Sequence, residues 1–246
     1  MISPDPSTKL LMPGEREAHV WSVYLPEVVS ARERYEATLS NQEREKAQRF
    51  VYAEDRLRYT VAHGILRELI GRYLETDPCS LNLIENEFGK PELSPDGNGS
   101  PLRFNSAHSA DVIVLGFTHR RSLGIDIEKV RLDLDVMELA LSQFTTGETE
   151  ELRRLPAKER QAAFFRCWTR KEAYIKALGL GLNFGLNKFA VTLGAEQPVR
   201  LTWSELDSDA SIKWTMYHLD LYQDYVGALV VQGEEPIILS YRRWVP

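Results

Sequence analysis

Apolar and polar positions follow two periods along this chain, and the switches between them divide it into two halves. Residues 20–26, VWSVYLP, alternate at every second position and predict a first strand. Residues 30–49 are densely charged and helix-prone. Within them Ser40 stands three positions before Glu43, the spacing of a capping box that starts a helix. In residues 55–75 the apolar side chains at 57, 61, 65, 66, 69 and 73 share one helix face. A short strand is expected over 81–88, broken by Gly89-Lys90-Pro91, and residues 94–101 form a loop rich in Pro, Gly, Asn and Ser. Residues 104–109 read as polar and irregular. Residues 112–118 and 122–130 read as two strands joined by a turn around His119-Arg120-Arg121.

The second half begins with two short helices, over 135–144 and 147–155. A long helix over 157–178 follows, ended by Gly179 and Gly181. Residues 189–193, 199–203, 213–220 and 225–232 are all strand-like. Each half thus supplies a long helix and several strands, which predicts two α+β lobes meeting near the 119–122 turn. No internal repeat shows at the level of individual residues.

Composition narrows the class. A chain of 246 residues is enough for one large domain or two of ordinary size. Hydrophobic content of 43% and charged content of 27% are those of a globular protein. No apolar run approaches the ~18 residues of a membrane span, and the N-terminus lacks a secretory apolar core. Cys79 and Cys167 form no C-x-x-C, so the expected setting is a reducing cytoplasm with both thiols free. A net charge of −6 argues against a general nucleic-acid binder and leaves room for a local basic pocket for a small anion.

Chemistry concentrates in a few stretches. In Leu123 to Val130, LGIDIEKV, Asp126 and Glu128 fall on the same face of a strand. Two carboxylates so placed repel unless something positive sits between them, and they suit a hard cation such as Mg²⁺; taken alone, so common a D-x-E is more often a solvated strand edge, here beside Lys129. In Phe164 to Gly181, FFRCWTRKEAYIKALGLG, Phe165, Trp168, Glu172, Ile175 and Gly179 share a helix face, and Lys176 is one turn beyond Glu172. That pair is either an ordinary i, i+4 contact or a carboxylate made more basic within an apolar stripe. His108 sits among small polar residues in Asn105 to Ser109, Lys90 on a tight turn, and Arg44, Lys46, Arg49, Arg56 and Arg58 around a helix start. Each of these has an incidental surface reading of its own. Together, with no zinc set, Walker loop or G-x-S-x-G elbow, they point to Mg²⁺-assisted work on a phosphate ester or pyrophosphate.

The ordered set FGKP (88–91), F-N-x-x-H-S (104–109), G-I-D-I-E (124–128) and W-x-x-K-E-A-x-x-K (168–176) resembles the 4′-phosphopantetheinyl transferases, in particular the larger, two-lobed Sfp type. The run Ser40 to Asp55 is similar to that class as well, and the likeness extends over residues 20–193. The resemblance implies two similar α+β lobes, each a helix packed on an antiparallel sheet, related by a pseudo-twofold axis with the active site in the cleft between them. It implies an N-terminal extension over 1–19, one lobe over 20–120 and a second over 121–246. The implied reaction moves phosphopantetheine from coenzyme A to a serine of an apo carrier protein and releases 3′,5′-ADP. Asp126, Glu128 and Glu172 would hold Mg²⁺, with Mn²⁺ as a substitute. Glu172 would act as base and Lys176 would neutralise or protonate the departing phosphate. Lys46, Arg58, Lys90, His108 and Lys176 would contact the coenzyme, and Glu148 matches a further acidic position near the cleft.

Two departures stand out. Ala107 replaces the serine of N-x-S-H-S, which removes one hydroxyl contact to the coenzyme. Glu43 stands where a basic residue is usual, with Arg44 beside it as a substitute. The expected partners are coenzyme A and an acyl carrier protein, or the carrier domain of a polyketide or nonribosomal peptide synthase. Nucleic acid and membrane are not expected, and a monomer is. Another Mg²⁺-dependent phosphoryl or nucleotidyl transferase and a non-catalytic coenzyme A or carrier-binding module are the competing readings.

Overall fold

The computed structural model describes residues 9–94, 99–181 and 184–245. Residues 1–8 of the expected extension and 95–98 of the expected loop lie outside them. Strand β1 (Glu17–Tyr24) is buried on both faces: Trp21 and Val23 join one apolar cluster, Ala18 and Val20 another. Such a strand needs cover on both sides, and the rest of the chain supplies it. β1 ends two residues before Pro26, which lies in the first turn of α1 (Leu25–Val28), where a missing N–H costs nothing. Helices α2 (Arg32–Thr38) and α3 (Asn41–Gln48) follow. The Ser40–Glu43 capping box forms as read, each side chain meeting the other residue's backbone N–H. The 22-residue α4 (Ala53–Leu74) packs Val61, Ile65, Leu66 and Leu69 against the Trp21 face of β1.

A small hairpin, β2 (Leu83–Glu85) and β3 (Pro91–Leu93), precedes a long one, β4 (Leu102–Ser109) and β5 (Val112–His119). Residues 104–109, expected to be irregular, are the body of β4. Its Leu102 and Phe104 lie under α4, but its later positions face a cleft and a neighbouring strand, so alternation fades. After the 119–122 turn, β6 (Leu123–Lys129) leaves the first sheet and starts a second. Then come α5 (Val136–Gln143), α6 (Thr146–Arg154) and the 22-residue α7 (Ala157–Leu178), whose end is capped by Gly179 in a left-handed conformation. Short β7 (Phe189–Val191) and β8 (Leu201–Ser204), α8 (Ala210–Lys213), β9 (Trp214–Leu219), β10 (Tyr225–Gln232) and β11 (Ile238–Arg243) complete the chain.

The sheets explain the two halves. The first has strand order β11-β1-β5-β4 and the second β6-β10-β9. In each, one strand is followed by helices and then by a hairpin whose second strand pairs antiparallel with it. The residues differ between halves but the path is the same. The sheets stack through Val20, Val112, Val114, Ile125, Ile127 and Leu229, so the layers run α4, sheet, sheet, α7. β11 departs from the expected run of 121–246 as one lobe. It crosses back and pairs parallel with β1, giving the first sheet a fourth strand. No helix among the described residues is long and apolar enough to cross a membrane.

Gly124 sets the distance between α7 and β6. A Cβ there would overlap the carbonyl oxygen of Ala173 and the amide nitrogen of Ala177. Gly124→Ala is therefore expected to cost about 3 kcal/mol in urea unfolding, because helix backbone has to move. A loss below about 0.5 kcal/mol, as at an ordinary surface site, would contradict this tight contact.

Candidate active site

The edges of the two sheets meet where β4 runs beside β6, and side chains bridge them. Asn105 Oδ1 accepts from the Ile125 N–H at 2.9 Å. Ser109 Oγ donates to Glu128 Oε2 at 2.6 Å and accepts from the Lys129 N–H at 3.1 Å. These bonds satisfy part of the backbone edge of β6 without a continuous sheet. They also leave a cleft between α4 and α7, a cavity of about 850 Å³.

β6 sends Leu123, Ile125 and Ile127 into the core between the sheets. Its alternate residues, Gly124, Asp126 and Glu128, face α7. The last two line the cavity with Glu172 and Lys176 of α7, His108 of β4 and Lys90 of the β2–β3 turn. Of the stripe read along the helix, Trp168, Glu172, Ile175 and Gly179 line the same cavity, while Phe165 is buried in the apolar cluster of the second lobe. Lys176 Nζ lies 2.6 Å from Asp126 Oδ1. Within the protein, this ammonium and the Ser109 hydroxyl hold the two carboxylates of β6.

The electrostatics remain strained. Burial raises the Asp126 carboxyl against the opposing pull of Lys176. Burial also raises Glu128, with Asp126 adding to the effect and the Ser109 bond opposing it. Glu172 is pushed up to about 7, first by burial, then by the charge of Asp126, with Lys176 only partly offsetting it. Asp126 Oδ2 and Glu172 Oε1 are buried without a hydrogen-bond partner among the described residues. Among those residues no three His, Cys, Asp or Glu side chains form a ready metal cluster, and Lys176 and Ser109 engage one oxygen each of Asp126 and Glu128. The unpartnered pair is nonetheless an acceptor-only, all-oxygen set, the kind a hard cation takes. Burial lowers His108, and the charges of Lys176 and Arg58 lower it further, so its ring is neutral near pH 7.

Several residues expected at the site have other work. Lys90 lines the cavity, but Nζ donates to the carbonyls of Leu123 at 3.0 Å and Lys176 at 2.7 Å. Asn86 Nδ2 donates to the Gly179 carbonyl at 3.1 Å. The β2–β3 turn thus straps the first lobe to the end of α7. Burial brings the Lys90 ammonium down to about 8. Lys90→Met should lower stability by about 2 kcal/mol in urea unfolding, since two carbonyls lose a charged donor; unchanged stability would leave the strap without effect.

Lys46 is paired with Glu85 at 2.7 Å in an adjoining groove. Arg58 does not line the cavity; Asp55 holds it at 2.6 Å and it donates to the Ala110 carbonyl at 2.9 Å. Arg44 does not replace the missing base of Glu43, because its guanidinium turns back to the Leu39 carbonyl. Glu148 does not line the cavity. It caps α6 and is buried in the second lobe against Lys171, at 2.9 Å, and the Val191 N–H. The sequence reading missed Tyr59 and His63, which line the cavity from α4. With Ala62 they occupy one helix face at i, i+3 and i+4, a stripe beside the apolar one.

Comparison with known proteins adds two family matches. A profile described as the 4′-phosphopantetheinyl transferase superfamily matches residues 122–230, and one described as 4′-phosphopantetheinyl transferase, N-terminal, matches 29–119. The 4′-phosphopantetheinyl transferase HetI of Nostoc sp. is 35% identical over 88% of each chain. A phosphopantetheinyl transferase of Thraustochytrium sp. is 29% identical over 87% of this chain and 79% of that one. The 4′-phosphopantetheinyl transferase Sfp of Bacillus subtilis is 29% identical over 79% of this chain and 85% of that one.

Proposed function

The chain belongs to the 4′-phosphopantetheinyl transferase superfamily, and from that premise we propose that it transfers 4′-phosphopantetheine from coenzyme A to a serine of an apo acyl or peptidyl carrier protein, with Mg²⁺ held by Asp126, Glu128 and Glu172. One observation carries this reading. Two unpartnered buried carboxylate oxygens share a cavity with the Lys176 ammonium, whose side chain is 30% exposed. That combination suits a polyanionic ligand bound together with a hard cation.

The reaction joins the serine oxygen to the phosphorus bearing pantetheine and breaks the P–O bond to 3′,5′-ADP. Glu172 accepts the serine proton directly or through a water. Lys176 meets the charge that grows on the leaving phosphate. His108, neutral near pH 7, donates one hydrogen bond to a phosphate oxygen. Bound Mg²⁺, or Mn²⁺ in its place, supplies charge neutralisation for the pyrophosphate. The protein acts in the cytoplasm as a monomer, since both lobes of one chain line the cavity.

The test is release of 3′,5′-ADP from coenzyme A. Release should require both the apo carrier and Mg²⁺ and should stop in excess EDTA. Undiminished release in EDTA would overturn the metal assignment.

A further inference from the structure

One side chain organises the β2–β3 turn. Asn86 Oδ1 accepts the N–H groups of Phe88 at 2.9 Å and Lys90 at 3.0 Å. The Asn86 carbonyl accepts the Gly89 N–H at 2.9 Å, and the Asn86 N–H donates to the Lys90 carbonyl at 3.0 Å. The other end of the amide leaves the turn. Its Nδ2 donates to the Gly179 carbonyl, 3.1 Å away in the second lobe. These partners fix which way the amide points, with N–H donors at one end and a carbonyl acceptor at the other. An aspartate here would keep the turn and lose the bond to Gly179; an alanine would keep neither.

The end of α7 is shaped to take this contact. Gly179 caps the helix at φ 71° and ψ 23°, and its carbonyl lies beyond the helix's own ladder of bonds. A Cβ on Gly179 would stand 3.0 Å from Asn86 Nδ2, and one on Gly181 would stand 3.1 Å from Phe88 Cβ. Side chains at these glycines would push the turn away from the helix.

Asn86 does not line the main cavity, but the residues it brings together do: Phe88, Gly89 and Lys90 on the turn, Ile175, Lys176 and Gly179 on α7. The two sides are anchored unequally. β2 and β3 have three residues each, too few to hold a hairpin in place by pairing alone. α7 is 22 residues long and buries Phe164, Ala173, Tyr174 and Ala177 in the second core. When the bond between them is cut, the turn shifts and the helix stays.

On the transfer reading, on which this inference rests, coenzyme A lies in that cavity. We propose that Asn86 is a positioning residue, which ties the β2–β3 turn of the first lobe to the C-terminus of α7 in the second and so holds two walls of the coenzyme cavity at their binding distance before coenzyme A arrives. It acts through the turn and touches no reacting atom. Without the tie, a smaller fraction of the protein has the wall in place, and affinity for coenzyme A falls by that fraction. Bound coenzyme A holds the wall itself, so turnover at saturation is kept.

Isothermal titration with coenzyme A and steady-state transfer to an apo carrier test this on the full chain, in high salt to screen a charge introduced at position 86. Asn86→Asp should bind coenzyme A about fivefold or more weakly, the scale of one hydrogen bond. The KM for coenzyme A should rise by the same factor, while kcat and the KM for the carrier stay within about twofold of wild type. Asn86→Ala should lose at least as much affinity. An amide that only shapes the turn predicts a lower melting temperature in Asn86→Ala and unchanged coenzyme affinity in Asn86→Asp, and unchanged affinity there overturns the proposal. So does a loss confined to kcat. If wild type binds coenzyme A and modifies no carrier, the titrations still decide the tie and only the transfer reading falls. Wild type that binds no coenzyme A overturns both.

Discussion

Lys176→Ala is expected to lower turnover by about a hundredfold or more with the helix content unchanged. The ammonium is 2.6 Å from Asp126 Oδ1, and the backbone carbonyl of the same residue is held by Lys90 at 2.7 Å. Lys176 is thus fixed at both ends, and a group so fixed is worth most where charge develops. The loss should appear in turnover more than in ground-state binding of coenzyme A, because the leaving phosphate gains charge only as the bond breaks. A purely structural pair predicts something else. Removing Lys176 would leave Asp126 buried without its cation and would lower stability while the rate held. Steady-state rates at saturating Mg²⁺, with circular dichroism on the same sample, separate the two. Near-wild-type turnover would defeat the catalytic role.

Glu172→Gln should abolish Mg²⁺-linked stabilisation and cut activity, yet make the metal-free protein more stable at pH 8. The folded-state carboxyl stands at about 7 against an ordinary 4.5, so the folded protein holds a proton that the unfolded chain releases. Stability is full below 4.5 and falls as pH rises toward about 7, above which the whole penalty applies. That penalty is on the order of 3 kcal/mol at most, and an amide, though still imperfectly partnered, escapes the charge-burial part of it. Thermal melts in EDTA and in Mg²⁺, at pH 5 and pH 8, check the result. At pH 8 in EDTA the variant should melt above wild type, with little difference at pH 5. If it melts below wild type there, or gains as much from Mg²⁺, Glu172 is not a buried charge awaiting a cation.

Much of this arrangement was legible in local patterns. α4 and α7 carry apolar stripes of helical period, and Ser40, Glu43 and Gly179 are cap residues whose effect is confined to one turn. Asp126 and Glu128 share a face because any strand imposes period two. β4 was hidden for a physical reason. Asn105 and Ser109 point at β6, Ser106 and His108 line the cavity, and a strand committed to a site loses its apolar alternation. β11 was hidden by distance: it is half exposed and its partner β1 lies at the other end of the chain. The cationic residues show the limit of carrying roles across by motif. Lys90, Arg58 and Arg44 occupy suggestive positions, but each donates to a backbone carbonyl that no local pattern reveals. Glu148, which matches a site acid by motif, is engaged as a helix cap and paired with buried Lys171.

The most direct measurement is the intact mass of an apo carrier protein after incubation with this protein, coenzyme A and Mg²⁺. The carrier should gain the mass of one phosphopantetheine, and a carrier with its acceptor serine changed to alanine should gain nothing. An unmodified carrier, in the presence of folded protein that binds coenzyme A, would contradict the account.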